Sequence, residues 1–118
     1  MRAKDRLGQR GERLAEEYLR RAGAAILDRN WRCRDGELDI VASDGGTLVA
    51  VEVKARRSWD YGHPFEAVDP AKLGRLVRLL AAWAEGHGLR ARARRVDVIA
   101  VTGRDGEAAR IEHLRGVA

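Results

Sequence analysis

Asp39, Glu52 and Lys54, with Glu37 close by, fall within the stretch 36–56, GELDIVASDGGTLVAVEVKAR. These are the residue types that metal-dependent phosphodiester hydrolysis uses. Carboxylates at diagonal positions of neighbouring strands, about 7–8 Å apart at the backbone, reach one hard divalent cation such as Mg²⁺ or Mn²⁺. Such a cation takes oxygen ligands and keeps waters for a phosphate to share. Lys54 shares the face of Glu52, where its amine can orient or deprotonate an attacking water and offset charge in the transition state. The plainer use of the same residues is a cross-strand ion-pair cluster at the solvated end of a hairpin.

The element that must position them is that hairpin. Two alternating apolar runs flank Ser43-Asp44-Gly45-Gly46, which predicts a two-residue loop at Asp44-Gly45 or a four-residue loop. Either loop pairs Ala42 with Thr47, Asp39 with Ala50 and Glu37 with Glu52. One face is then apolar, with Leu38, Ile40, Ala42, Val49, Val51 and Val53, and the other gathers Glu37, Asp39, Glu52 and Lys54 at the end away from the turn. A slip of one residue would separate Asp39 from Glu52 and break the apolar set. Glu37 opposite Glu52 sets like charges together, which a cation would relieve.

Upstream, residues 5–22 carry Leu7, Leu14, Ala15, Tyr18, Leu19 and Ala22 on one helical stripe, with Gly23 as the stop. Glu12 lies on the border of that stripe, where it can face the charged end of the sheet. Gly8 and Gly11 each cost a helix about 1 kcal/mol relative to Ala, which asks for close approach of another backbone or of a phosphate. Ala25 to Cys33 reads as a strand, making an antiparallel meander with the hairpin.

After Lys54, residues 55–65 interleave Arg56 and Arg57 with Trp59, Tyr61 and Phe65. Such a loop can stack bases or cradle a backbone, or its aromatics can anchor it to the core. Asp69-Pro70 starts a helix that runs to about residue 85, with Leu73, Leu76, Val77, Leu80 and Ala84 as its buried stripe and Lys72 off it. Residues 90–95 form a basic patch or a polar linker. Residues 96–102 read as a strand covered on both faces and, coming after a helical crossover, parallel to one of the meander strands. Asp97 inside it needs a partner, expected to be an Arg. A turn at Gly103-Arg104-Asp105-Gly106 leads to a short last strand around residues 110–114.

These motifs carry a resemblance. The pattern Asp39, a dozen residues, then Glu52-x-Lys54 resembles the PD-(D/E)XK nuclease core. In order along nearly the whole chain, Gly8-Gln9-Arg10-Gly11-Glu12, Asn30-Trp31-Arg32, Gly36-Glu37-Leu38-Asp39-Ile40, Val51-Glu52-Val53-Lys54, Lys72 and Arg95-Val96-Asp97-Val98 resemble the bacterial YraN family. That family is placed in the restriction endonuclease-like superfamily, near the archaeal Holliday junction resolvases. Leu38 stands where the superfamily often has Pro, and Val96 where the family has an aromatic residue.

The resemblance implies a Mg²⁺-dependent endonuclease, directed at branched or otherwise structured DNA and forming a two-fold dimer. It implies that Glu12, as the first-helix carboxylate, joins the metal site with Asp39 and Glu52, that Glu37 tunes or completes it, and that Lys54 activates water. Gly8, Gly11, Arg56, Arg57 and Lys72 are the expected nucleic-acid contacts. The rival expectation is a non-catalytic nucleic-acid-binding or partner-binding module on the same fold.

Composition is compatible with either. A chain of 118 residues with 45% hydrophobic content predicts one globular domain, residues 1–118. No apolar run approaches the length of about 18 residues that a membrane span needs, and no charged start precedes an apolar segment, so a cytoplasmic protein is expected. Cys33 is the single cysteine and the three histidines are not spaced as ligands, which points any metal toward oxygen donors. A net charge of +5 favours a polyanionic partner. The fold expected is α/β, with a mixed, mainly antiparallel five-stranded sheet flanked by helices in the order α-β-β-β-α-β-β.

Overall fold

The computed structural model describes residues 3–90 and 93–118, with Ala3 and Lys4 as backbone alone. Its elements follow the expected order: α1 (Ala3–Arg21), β1 (Ala25–Cys33), β2 (Gly36–Asp44), β3 (Thr47–Arg56), α2 (Pro70–Gly86), β4 (Arg94–Thr102) and β5 (Arg110–Leu114), with a 3₁₀ turn at Pro64–Ala67. The five strands form one sheet in sequential order, β1-β2-β3-β4-β5. Three joints are antiparallel and the β3–β4 joint is parallel, reached by the crossover through α2. Of the run at 90–95, Ala91 and Arg92 lie outside the described residues.

The two helices cover opposite faces. On one face Ala15 and Leu19 of α1 pack on Ile40, Ala42, Val49, Val51, Ile99 and Val101. On the other, Leu76, Leu79, Leu80, Trp83 and Ala84 of α2 pack on Val41, Leu48, Ala50 and Val96. Strands β3 and β4 are thus buried on both sides, and each buried Val, Leu or Ile contributes about 1.5–3 kcal/mol. Two stripe assignments differ from expectation. Ala22 is exposed, and Val77 is 46% exposed while Leu79 and Trp83 are buried. The periodicity of α2 admits both stripes; its docking on the sheet selects 76, 79, 80, 83 and 84, and the Trp83 indole N–H then donates to Asp28 Oδ2 at 2.8 Å. Asp69 caps α2 as expected, accepting the Lys72 N–H at 2.8 Å with Pro70 following.

The hairpin register differs by two residues from the expected one. The loop residues are Gly45 and Gly46, so Asp44 pairs with Thr47, Ala42 with Val49 and Ile40 with Val51. Both loop positions have positive φ, +57° and +87°, the conformation a two-residue type I′ loop demands at both sites and that glycine adopts without cost. A shift of two preserves the faces, but it removes Glu37 from its expected place opposite Glu52.

One residue changes side. Leu38 packs with α2 instead of with Ile40 and α1, together with Trp31, its partner on β1. Arg29 and Ile40, the next pair on that face, point to α1, where the Arg29 guanidinium binds Glu16. The two strands therefore turn over between these rungs. Asn30, at φ +48°, is the non-glycine residue in left-handed conformation at that point.

Asp97, fully buried on β4, has the Arg partner expected and two more. Its carboxylate accepts from Arg95 Nε at 3.0 Å, from the Gly116 N–H at 2.9 Å, and bonds His113 Nε2 at 2.8 Å. The His113, Arg95 and Gly116 hydrogen bonds outweigh burial and hold this acid below the usual carboxylate range.

Candidate functional site

The turnover in β1 and β2 is what aims Asp39. Beyond the last β2–β3 pair, Asp39 Oδ2 accepts the Val53 backbone N–H at 2.9 Å. Its carboxyl is mostly buried, hydrogen-bonds the Glu52 carboxylate, and lies close enough to Glu12 to feel its charge. Burial first, then Glu52, then Glu12 push it up to about 8, against the opposing Val53 N–H. Glu52 takes the other side of the bargain. Burial works against its ionisation, but the hydrogen bond from Asp39 and the charges of Lys72 and Lys54 hold it below its ordinary value. The two acids titrate as a pair, with Asp39 the harder of the two to ionise and Glu52 the easier.

Glu52 is 6% exposed and points toward α2. Lys72 Nζ lies 2.6 Å from its Oε2 and Lys54 Nζ 3.9 Å from the same atom. The contacts are ionic, and Oε2 makes no aligned hydrogen bond. Burial and then the neighbouring Lys72 lower the Lys54 amine, whereas Glu52 more than offsets burial at Lys72 and raises it. Lys72, expected to touch a phosphate, is thus engaged with an acid of the site.

Glu12 arrives from the opposite helix. Gly11 beside it is buried because α1 crosses β3 at that point; a Cβ there would stand 2.7 Å from Ala55 Cβ. Of the two close approaches this glycine invited, the one to another backbone is present, against β3. Gly8 has open space around it and borders a cleft of about 630 Å³. Glu12, Asp39 and Lys54 line the same cleft, and so do Arg56, Arg57, Tyr61 and Arg104.

Glu37 does not join Asp39 and Glu52. It pairs with Arg32 Nε at 3.4 Å and shares a neighbouring recess with Glu12. Between these two acids the Asn30 side-chain amide, with its NH₂ turned toward them, donates to Glu12 Oε1 at 2.9 Å and to Glu37 Oε1 at 3.3 Å. Burial, then Glu37 and Glu52, raise Glu12 above its ordinary value. Among the described residues no group of three or more His, Cys, Asp or Glu side chains is gathered closely enough to hold a metal ion. The acids converge as the Asp39–Glu52 pair, with Glu12 approaching it.

Asn30, Lys72 as the counter-ion of Glu52, and Arg104 were absent from the sequence-based site in these positions. Asn30 carried a signal, since Asn is among the non-glycine residues that most readily take an isolated left-handed conformation.

The class defined by these features is an α/β protein with a mixed five-stranded sheet between two helices and an acid–lysine cluster at the end of its central strands. Its lineage is equally definite. Residues 11–101 match the model of the uncharacterised protein family UPF0102, and the chain belongs to that family. Relatives named UPF0102 protein occur in Arthrobacter sp. strain FB24, 61% identical with 99% of each chain covered, and in Paenarthrobacter aurescens strain TC1, 59% identical over 99% of this chain and 97% of the relative. A third, in Frankia alni, is 49% identical over 98% and 97% of the two chains. No helix among the described residues is long and apolar enough to cross a membrane.

Proposed function

We propose that this chain is a divalent-metal-dependent endonuclease of restriction endonuclease-like type, as the YraN resemblance implies, acting in the cytoplasm on DNA with branched or otherwise structured form, as a homodimer. The observation that carries the reading is buried Glu52, held by Lys72 and Lys54, next to Asp39 at the wall of an Arg-lined cleft. Two neighbouring carboxyls, with a buried Glu52 oxygen that lacks an aligned hydrogen bond, suit a hard cation such as Mg²⁺ or Mn²⁺. Asp39 and Glu52 would hold it, and Glu12 would tune the site through its charge. Glu37, tied to Arg32 and Asn30, is left out of the ligand set.

A bound cation would supply Lewis-acid polarisation of a phosphoryl oxygen and a more acidic water. The chain's own groups do the rest. Lys54, whose amine is lowered by burial and by Lys72, is suited to orient the attacking water and hold its proton. Arg56 and Arg57 would bind the phosphates that flank the scissile bond. Asp39 keeps its orientation through the Val53 N–H.

The test is cleavage of labelled duplex, single-stranded, flap and four-way-junction DNA with Mg²⁺ or Mn²⁺, beside an EDTA control and the Glu52→Gln and Lys54→Ala proteins, each checked for folding by circular dichroism. Metal-dependent cutting that both substitutions abolish is expected. Salt-sensitive DNA binding without cutting would favour the non-catalytic module instead. For that alternative the Lys72–Glu52 contact speaks, because it already neutralises one acid.

A further inference from the structure

The cleft beside the acids is built differently along its length. Past Lys54, β3 ends on Arg56, and the loop that follows carries Arg57 and then Tyr61, whose ring is fully exposed (102%). An aromatic ring held entirely in water is an anomaly in a loop whose other aromatics are tied down. The Trp59 indole N–H donates to Thr102 Oγ1 at 3.1 Å, the Arg110 guanidinium lies 4.6 Å over its ring, and His63 packs between Trp59 and Phe65 at 4.8 and 4.6 Å. The Gly62 N–H closes a turn on the Trp59 carbonyl at 2.9 Å, which puts Asp60 and Tyr61 at the turn's outer corner. Tyr61 is thus presented by an anchored turn.

The cationic wall is anchored too. The Gly103 N–H donates to the Arg56 carbonyl at 2.9 Å and Arg10 donates to the Gly103 carbonyl at 3.2 Å, so Arg104 is held next to the end of β3. Three exposed guanidiniums and one bare aromatic face therefore share a single cleft. Inside a duplex, base faces are already covered by stacking, whereas an unpaired base is free to lie on a tyrosine.

We propose that the cleft binds an unpaired strand of nucleic acid, one base stacked on Tyr61 and its phosphates on Arg56, Arg57 and Arg104. This rests on the cleft being a nucleic-acid site, as in the proposed function, and specifies which polymer form it takes. A structured DNA would then be engaged where its strands are open.

The experiment is fluorescence anisotropy in EDTA, so that nothing is cut, with short labelled single-stranded DNA, single-stranded RNA and blunt duplex DNA over a series of KCl concentrations. The single strand should bind more tightly than the duplex, and comparison of the DNA and RNA arms names the polymer. Tyr61→Ala should weaken single-strand binding about tenfold, Tyr61→Phe should keep it, and neither should alter duplex binding. The Arg56→Ala, Arg57→Ala double variant should flatten the salt slope for the single strand by about 1.4. Equal or tighter duplex binding, or a Tyr61→Ala protein that binds the single strand like wild type, would overturn the proposal. Metal-dependent cutting with duplex-preferred binding would sink this inference alone; Tyr61-dependent binding without cutting would sink the nuclease reading alone.

Discussion

Asp39 is an acid that the fold penalises for being charged. With its carboxyl at about 8 in the folded chain and near 3.9 unfolded, the native state holds an extra proton between those values. Stability must therefore fall as pH rises from about 4 to 8 and stay lowered above. Asp39→Asn can still accept the Val53 N–H and donate to Glu52, so it should raise stability at pH 8, without metal, by on the order of 1–2 kcal/mol. Thermal melts at pH 5 and pH 8 check this, the gain appearing at pH 8 and shrinking at pH 5. Millimolar Mg²⁺ should stabilise wild type at pH 8 and leave Asp39→Asn little changed. Lys72 offers the converse. Lys72→Met strips the nearest cation from buried Glu52 and should cost about 1–2 kcal/mol, less than a fully buried pair because the lysine is partly solvated. Added Mg²⁺ should recover more of that loss than it adds to wild type, read by urea unfolding. The nearness of Glu52 and Lys54 was legible because strand alternation needs only local spacing, whereas the approach of Asp39 to them depends on the turnover at Asn30 and on the observed register. Lys72 was not, since its meeting with Glu52 depends on where α2 docks. Glu37 was misplaced by turn chemistry alone: two glycines, not Asp44-Gly45, occupy the loop.

Elements were easier to read than their contacts. The bounds of β1 and β5 follow from alternation and turn residues, and Asp69-Pro70 announces α2 with a cap whose hydrogen bond is present. The face of α2 was half legible, since Val77 and Leu79 are equally apolar and only the sheet decides between them. The turnover at Asn30 was hidden, because alternation in β2 continues through Leu38 without a break in pattern. Gly11 was legible as a demand for space, though the sequence did not say against what. Gly11→Ala would set a methyl 2.7 Å from Ala55 Cβ and lift α1 off β3, at a cost of about 1–3 kcal/mol. Because Glu12 follows Gly11 directly, the variant should also weaken metal affinity. Urea unfolding and calorimetric titration with Mn²⁺ would read the two effects, and a Gly8→Ala control, with open space around it, should show neither.

In the whole molecule, each strand lies beside its predecessor, and the β3–β4 joint alone waits for a crossover. That joint closes the most apolar edge in the chain: β3, with Leu48 through Glu52 all buried, against β4, buried from Val96 through Val101. Chains stopped before Arg94 should retain the β1–β3 meander and every acid of the site yet associate through the open edge, which light scattering would detect and which the full chain should not show. Protein synthesis passes through that same incomplete state. Arg56 ends β3 and Thr102 ends β4, so at 5–20 residues per second roughly 2–10 s separate them. For that interval on the ribosome the nascent chain carries the acids of the site and Lys54, joined midway by Lys72, on a sheet with an unguarded margin, and β4 is the segment whose arrival makes it safe to release.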